Sequence, residues 1–127
     1  MSAAIVGIDH VQVAAPPGCE AETCRFYGDL LGLEELEKPS LLEARGGVWF
    51  RAGSQELHVG VADPFVPATK AHPALRVGSA EALERLAEAL GTQGCAVSWP
   101  DPDEIPGSTR FFVTDPFGNR LELLARG

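Results

Sequence analysis

Apolar and polar positions along this chain fall into one pattern given twice. Residues 5–14, IVGIDHVQVA, alternate as a strand does, and the Pro16-Pro17-Gly18 triplet ends the run. In CEAETCRFYGDLLG the apolar residues Cys24, Phe26, Tyr27, Leu30 and Leu31 recur at helical spacing up to Gly32. A short strand near Leu33–Glu37 follows, and GGVWFRAGSQELHVGV reads as two strands joined by a tight turn at Gly53-Ser54. After ADPFVPATKA the order returns. HPALRV is a strand, and Ser79 caps a helix whose Ala82, Leu83, Leu86, Ala87 and Leu90 make an apolar stripe. CAVSW is a strand, PDPDEIPG a loop, and RFFVT and NRLELLA are strands around the turn Asp115-Pro116-Phe117-Gly118.

The order strand, helix, three strands, given twice, predicts the α+β class: two βαβββ modules at about residues 5–61 and 72–125. The stretch 62–71 links them inside one domain spanning 1–127, because neither half is large enough to hold a core alone.

Strand parity then sorts the polar residues. His10 shares a face with Gln12, His58 with Glu56 and Gly60, His72 with Ala74 and Arg76, and Glu122 with Arg120 and Leu124. In each strand the other face is the apolar one that a helix must cover, so these four residues line a concave, partly polar cavity. Their spacing repeats: 48 residues separate His10 from His58 and 50 separate His72 from Glu122. Metal-competent side chains at equivalent places in both halves of a repeat can be brought to one point, so His10, His58, His72 and Glu122 are the candidate metal ligands. A two-residue turn at Gly53-Ser54 sets Trp49 across from His58 and Arg51 across from Glu56, on the cavity side, while Phe112 shares a side with Arg110. Trp49, Arg51, Arg110 and Phe112 are thereby candidates for substrate contact. Glu56 and Glu122 are the candidate catalytic carboxylates, Glu56 as a general base or as a partner of a ligand.

Charge narrows the partners. With a formal charge of −8 and no cluster among its ten Lys and Arg residues, the chain repels nucleic-acid backbones. No uncharged stretch is long enough to span a bilayer and MSAAIVGIDH lacks a basic region with a hydrophobic run behind it, so the chain reads as cytoplasmic and free of membrane contact. Cys19, Cys24 and Cys95 form no CxxC pair and read as plain thiols.

With HVQVA near its start, FYGDLLGLEEL at the end of the first helix and DPFGNRLELL at its close, the chain resembles the glyoxalase, bleomycin-resistance and extradiol-dioxygenase group, the vicinal oxygen chelate superfamily. The resemblance runs from about Ile8 to Leu124. It implies a cup-shaped, partly open mixed sheet with helices on its outer face, each module curled into half a cup. By position His10, His72 and Glu122 match the superfamily's ligands, while His58 stands where glyoxalase I has a glutamate. Three imidazoles and one carboxylate leave a bound ion the stronger Lewis acid, with one base fewer. The resemblance further implies a divalent ion (zinc, nickel, cobalt, iron or manganese) and a small substrate chelated through adjacent oxygens. Lyase or isomerase, thiol-transferase or dioxygenase chemistry would follow. Modules of this kind pair between chains, which implies a homodimer, although the cup could also close within one chain. The alternative is a metal-free drug-binding protein of the bleomycin-resistance type, for which an acidic surface would favour a cationic ligand.

Overall fold

The structure, a computed structural model, describes residues 3–127. Module one contains β1 (His10–Ala15), α1 (Glu20–Thr23) running on as a π-helical stretch Cys24–Leu30, β2 (Glu34–Leu36), α2 (Ser40–Glu43), β3 (Val48–Ala52) and β4 (Gln55–Val61). Module two contains β5 (Ala74–Arg76), α3 (Ala80–Thr92), β6 (Val97–Ser98), β7 (Ser108–Thr114) and β8 (Arg120–Arg126). Each module folds its strands into its own four-stranded mixed sheet, in the orders β1-β4-β3-β2 and β5-β8-β7-β6. The matching orders express the repeat: β1 runs parallel to β4 and β5 parallel to β8, while the remaining pairs are antiparallel.

Local chemistry accounts for the elements. The Ser79 hydroxyl accepts the Ala82 amide at 3.1 Å, so α3 begins with one of its orphan donors satisfied. Gly53 takes φ +65 in the two-residue turn, and Ala52 pairs with Gln55 across it. That turn fixes the register of the whole hairpin, Trp49 opposite His58 and Arg51 opposite Glu56, as the sequence implied. In the π-helical stretch the Leu31 amide reaches back to the Phe26 carbonyl at 2.9 Å. Adjacent Phe26 and Tyr27 are both buried there.

Four expectations shift. Ladder pairing of β1 begins only at His10, opposite Glu56, because β4 itself starts at Gln55. Ile5, Val6 and Ile8 therefore stand outside the sheet and exposed. The strand expected at 72–77 contracts to Ala74–Arg76: Pro73 has no amide to give, and its carbonyl accepts the Glu122 amide at 3.0 Å just ahead of the ladder. His72 is thus placed from the irregular stretch between a bend at 69–71 and β5 rather than from a strand. CAVSW pairs only over Val97–Ser98, and Ser40–Glu43 forms a helical turn that the apolar pattern does not signal.

The parity assignment holds on both sheets. Val13, Phe50, Leu57 and Val59 of the first sheet pack toward Phe26 and Tyr27, and Phe111, Val113, Leu121 and Leu123 of the second pack under Leu83, Ala87 and Leu90 of α3. All belong to one buried cluster, so the modules share a core through their helix-covered faces while their polar faces remain open. The turn after β7 ties them together. Buried Asp115 accepts the Tyr27 hydroxyl at 2.7 Å, the Phe117 amide at 2.9 Å and the Asn119 amide at 2.8 Å. Asn119 in turn donates to the Ala14 carbonyl of β1 at 2.8 Å and accepts the Ala68 amide at 3.0 Å. Three buried side chains, Tyr27, Asp115 and Asn119, join backbone groups of both modules and the linker in one network, which makes DPFGN a clasp as well as a turn.

Candidate functional site

On the open face of the first sheet three rings run across the strands from β3 to β1. Trp49 and His58 stack with centroids 3.8 Å apart and planes 2° from parallel. His10 stacks on the other side of His58 at 4.3 Å and 18°. Cross-strand pairing causes this: His58 on the central strand β4 has Trp49 directly opposite on β3, while β1 brings His10 in beside it. Glu56 Oε1 lies 2.8 Å from His58 Nε2, so the carboxylate expected to act as a base or a ligand's partner holds the ring of buried His58. The His10 Nδ1 lies 2.9 Å from Asp9 Oδ1, leaving its Nε2 outward. Arg51 pairs with Glu34 at 3.5 Å at the edge of the sheet.

The second sheet repeats the layout with other residues. Phe112 sits opposite Glu122 as Trp49 sits opposite His58. Glu122 is 8% exposed and is held from two sides: His72 Nε2 lies 3.0 Å from its Oε1, and Arg110 Nη1 lies 3.4 Å from its Oε2. Arg110 also reaches Glu104 at 2.6 Å. The edge of the His72 ring packs on Phe112 at 5.5 Å, and the Arg120 guanidinium lies over the same ring at 3.8 Å. Glu122 is therefore no solvated surface carboxylate, which is the ordinary reading of a glutamate between arginines.

The tautomer of His72 follows from its neighbours. Its Nδ1 is 2.9 Å from the Lys70 carbonyl oxygen, which can only accept, so a proton resides on Nδ1. Nε2 then points a lone pair at a carboxylate oxygen 3.0 Å away. Two lone pairs at that distance require a cation between them, a second proton or a metal ion. His10 is arranged alike, with Nδ1 held by an acceptor and Nε2 left to bind.

Each wall thus carries two of the four candidate ligands. Among the described residues no three His, Cys, Asp or Glu side chains converge within one chain, so the four candidates stand as two separate pairs, His10 with His58 and His72 with Glu122. A groove of about 1350 Å³ runs between the edges of β1 and β5, with Ile8, Val11, Gln12, Glu56, His72 and Arg76 on its lining. The thiols stand apart: burial pushes Cys19 and Cys24 above the usual thiol range, which keeps both protonated and poorly nucleophilic near neutrality. Sequence reasoning did not foresee Asp9 and the Lys70 carbonyl as the groups that fix the imidazoles, or Arg120 as a cation held over Phe112. Parity did set Arg120 on the face of Glu122, but only the structure shows Arg110 taking the carboxylate.

Two repeated modules with helix-covered backs and open polar faces, each bearing imidazole or carboxylate side chains on its first and last strands or beside them, define the glyoxalase fold. The chain belongs to the Glyoxalase/Bleomycin resistance protein/Dioxygenase superfamily, whose model matches residues 7–123. It is 47% identical to a protein described as of the glyoxalase family from Bacillus anthracis, with a TM-score of 0.91 and 100% of both chains covered. The fold is shared at 18% identity with the fosfomycin resistance protein FosX from Listeria monocytogenes, with a TM-score of 0.73 over 97% of this chain and 93% of that one. Lactoylglutathione lyase from Agrobacterium tumefaciens has it at 19% identity and a TM-score of 0.71, covering 97% and 96%. No curated protein matches the chain.

Proposed function

We propose that this chain is a glyoxalase-like enzyme that uses a divalent metal ion to act on a small substrate held through two adjacent oxygens, at sites completed by a second copy of the chain. The observation that carries the reading is the His72–Glu122 pair, an imidazole with its proton fixed on Nδ1 and its Nε2 aimed at a buried carboxylate. His10, with Nδ1 likewise engaged, is the matching donor from the other module. Zinc, nickel, cobalt, iron and manganese all suit two imidazoles and a carboxylate.

In this reading His10, His72 and Glu122 hold the ion. Ring nitrogens bind a metal in the plane of the ring, and rings stacked at 4.3 Å and 18° cannot aim at one ion, so His58 joins as a fourth ligand only by leaving its stack. It serves instead, with Trp49 and Glu56, to hold His10 in place. When bound, the ion supplies Lewis acidity to a developing oxyanion. The chain's own residues do the rest. Phe112 and Trp49 wall the site, Arg110 orients Glu122, and Glu56, on the same strand face as His58, is the group to move a proton.

One module offers His10 and the other His72 and Glu122, and a site of three ligands needs both. A homodimer in which module one of one copy meets module two of the other supplies them. The exposed Ile5, Val6, Ile8 and Val11 beside His10 support this, as does the position of β1 and β5 at the edges of their sheets.

Elemental analysis of untagged protein purified without chelator tests the reading. About one transition-metal ion per chain is expected, lost in His10→Ala and retained, with weaker affinity, in His58→Gln. Loss in His58→Gln to the same extent as in His10→Ala would restore a four-ligand site. Persistent absence of metal after incubation with zinc, nickel, manganese and ferrous iron would overturn the enzyme reading in favour of a metal-free drug-binding protein.

A further inference from the structure

The two walls differ in charge at one pair of equivalent positions. Arg120 stands to Glu122 as Glu56 stands to His58, two residues earlier on the last strand of its module, so the repeat puts a carboxylate on one wall and a guanidinium on the other. Among the described residues no carboxylate lies within ion-pair distance of Arg120. Its nearest carboxylate on β8 is already engaged, Glu122 Oε1 by His72 and Oε2 by Arg110. The guanidinium carbon lies 3.8 Å from the centroid of the Phe112 ring, where cation–π attraction holds it. An arginine so held still offers its N–H groups in the fork geometry that fits a carboxylate or a phosphoryl group. Arg110 approaches the same ring at 5.2 Å, and Arg76 follows Ala74 on the strand paired with β8. Arg126 lies on the same face of β8, so a chain of net charge −8 sets four of its ten Lys and Arg residues on the open face that carries Glu122. Anions are repelled at long range and attracted at this wall.

We propose that Arg120, held over Phe112, anchors an oxyanion of the substrate, a carboxylate or phosphoryl group, beside the His72–Glu122 pair. Assigning that anion to the substrate rests on the metalloenzyme reading above, whereas the anion site itself does not. The substrate is then a small acid that presents its adjacent oxygens toward Glu122 and its charged end toward Arg120. Arg120 is its specificity residue.

Chemical-shift titration of the full chain with methylphosphonate and with acetate, each with and without zinc, tests this. Wild type should show saturable shifts with at least one anion, and the better ligand identifies the phosphoryl or the carboxylate source. Arg120→Gln should weaken that binding by about tenfold or more, and Arg120→Lys, which keeps the charge but loses the fork, by less. Arg85→Gln, on the exposed face of α3, controls for charge loss and should leave the curve unchanged. Identical curves for wild type and Arg120→Gln, or no saturable binding of either anion to wild type, would overturn the proposal. If Arg120→Gln loses its native amide spectrum, Arg120→Lys decides by the same criterion. Failure to take up zinc while anion binding still depends on Arg120 would bring down the metalloenzyme reading and leave the anion site standing.

Discussion

Gly47 and Glu20 show how single residues fix the approach of one element to another. Gly47 takes φ +87, and a Cβ there would run into the Val59 carbonyl oxygen of the neighbouring strand. Gly47→Ala combines left-handed strain with that clash and should cost about 2–3 kcal/mol, read as a lower urea midpoint at unchanged slope. The Gly47 amide donates to Glu20 Oε2 at 2.7 Å, and this hydrogen bond holds the Glu20 carboxyl below its usual range. A depressed folded-state value means that the unfolded chain takes up the proton first as pH falls. The stabilisation is therefore present above the unfolded glutamate value of about 4.3 and is lost as pH falls through the lower, folded one. Glu20→Gln should flatten the acid limb of the stability curve, with its deficit largest near neutrality and vanishing at low pH. A deficit that stays constant down to pH 2 would refute the assignment.

At the scale of elements, the clasp at residues 115–119 does more than reverse the chain between β7 and β8. Removing the Asp115 carboxylate leaves the buried Tyr27 hydroxyl and two backbone amides without their acceptor. Asp115→Ala should accordingly destabilise by about 3–5 kcal/mol, as seen in denaturant unfolding, far beyond the effect of an exposed turn substitution. The Tyr27 hydroxyl is held well above its ordinary range by burial and by the Asp115 charge, so it stays a donor at every pH at which the protein is folded. DPFG reads as a turn from its composition, and that reading is correct. Its second role was illegible, because a hydrogen bond from Tyr27 to Asp115 crosses 88 positions and no local signal announces it.

For the whole molecule the governing fact is that the two open faces each carry candidate ligands, no three of which converge among the described residues, while the modules share a core on their other sides. Completion by a second copy predicts a mass twice that of the 13.5 kDa chain. Ile8, exposed beside β1, would lie in the contact, so Ile8→Glu should give a monomer of nearly unchanged stability that binds metal poorly. Light scattering and metal analysis on the same samples check both halves of this statement. A wild-type monomer with full metal content would show that one chain closes its own site.

Periodicity in the sequence determined the two modules, the succession of their elements and the face on which each of the four candidate ligands lies. Alternation in strands and spacing in helices are imposed by backbone geometry, and burial writes them directly into the apolar pattern. The two-residue turn at Gly53-Ser54 extended that reading to the register pairing Trp49 with His58, since turn length sets hairpin register. Distances between the modules could not be read this way. How far His10 stands from Glu122 in one chain, and which faces stay open, depend on how two sheets pack over one core, while which ring stacks on His58 and whether Arg110 or Arg120 takes the carboxylate depend on side-chain conformers within each sheet. That packing is the sum of many weak long-range contacts without a local signature, and only the tertiary structure decided it.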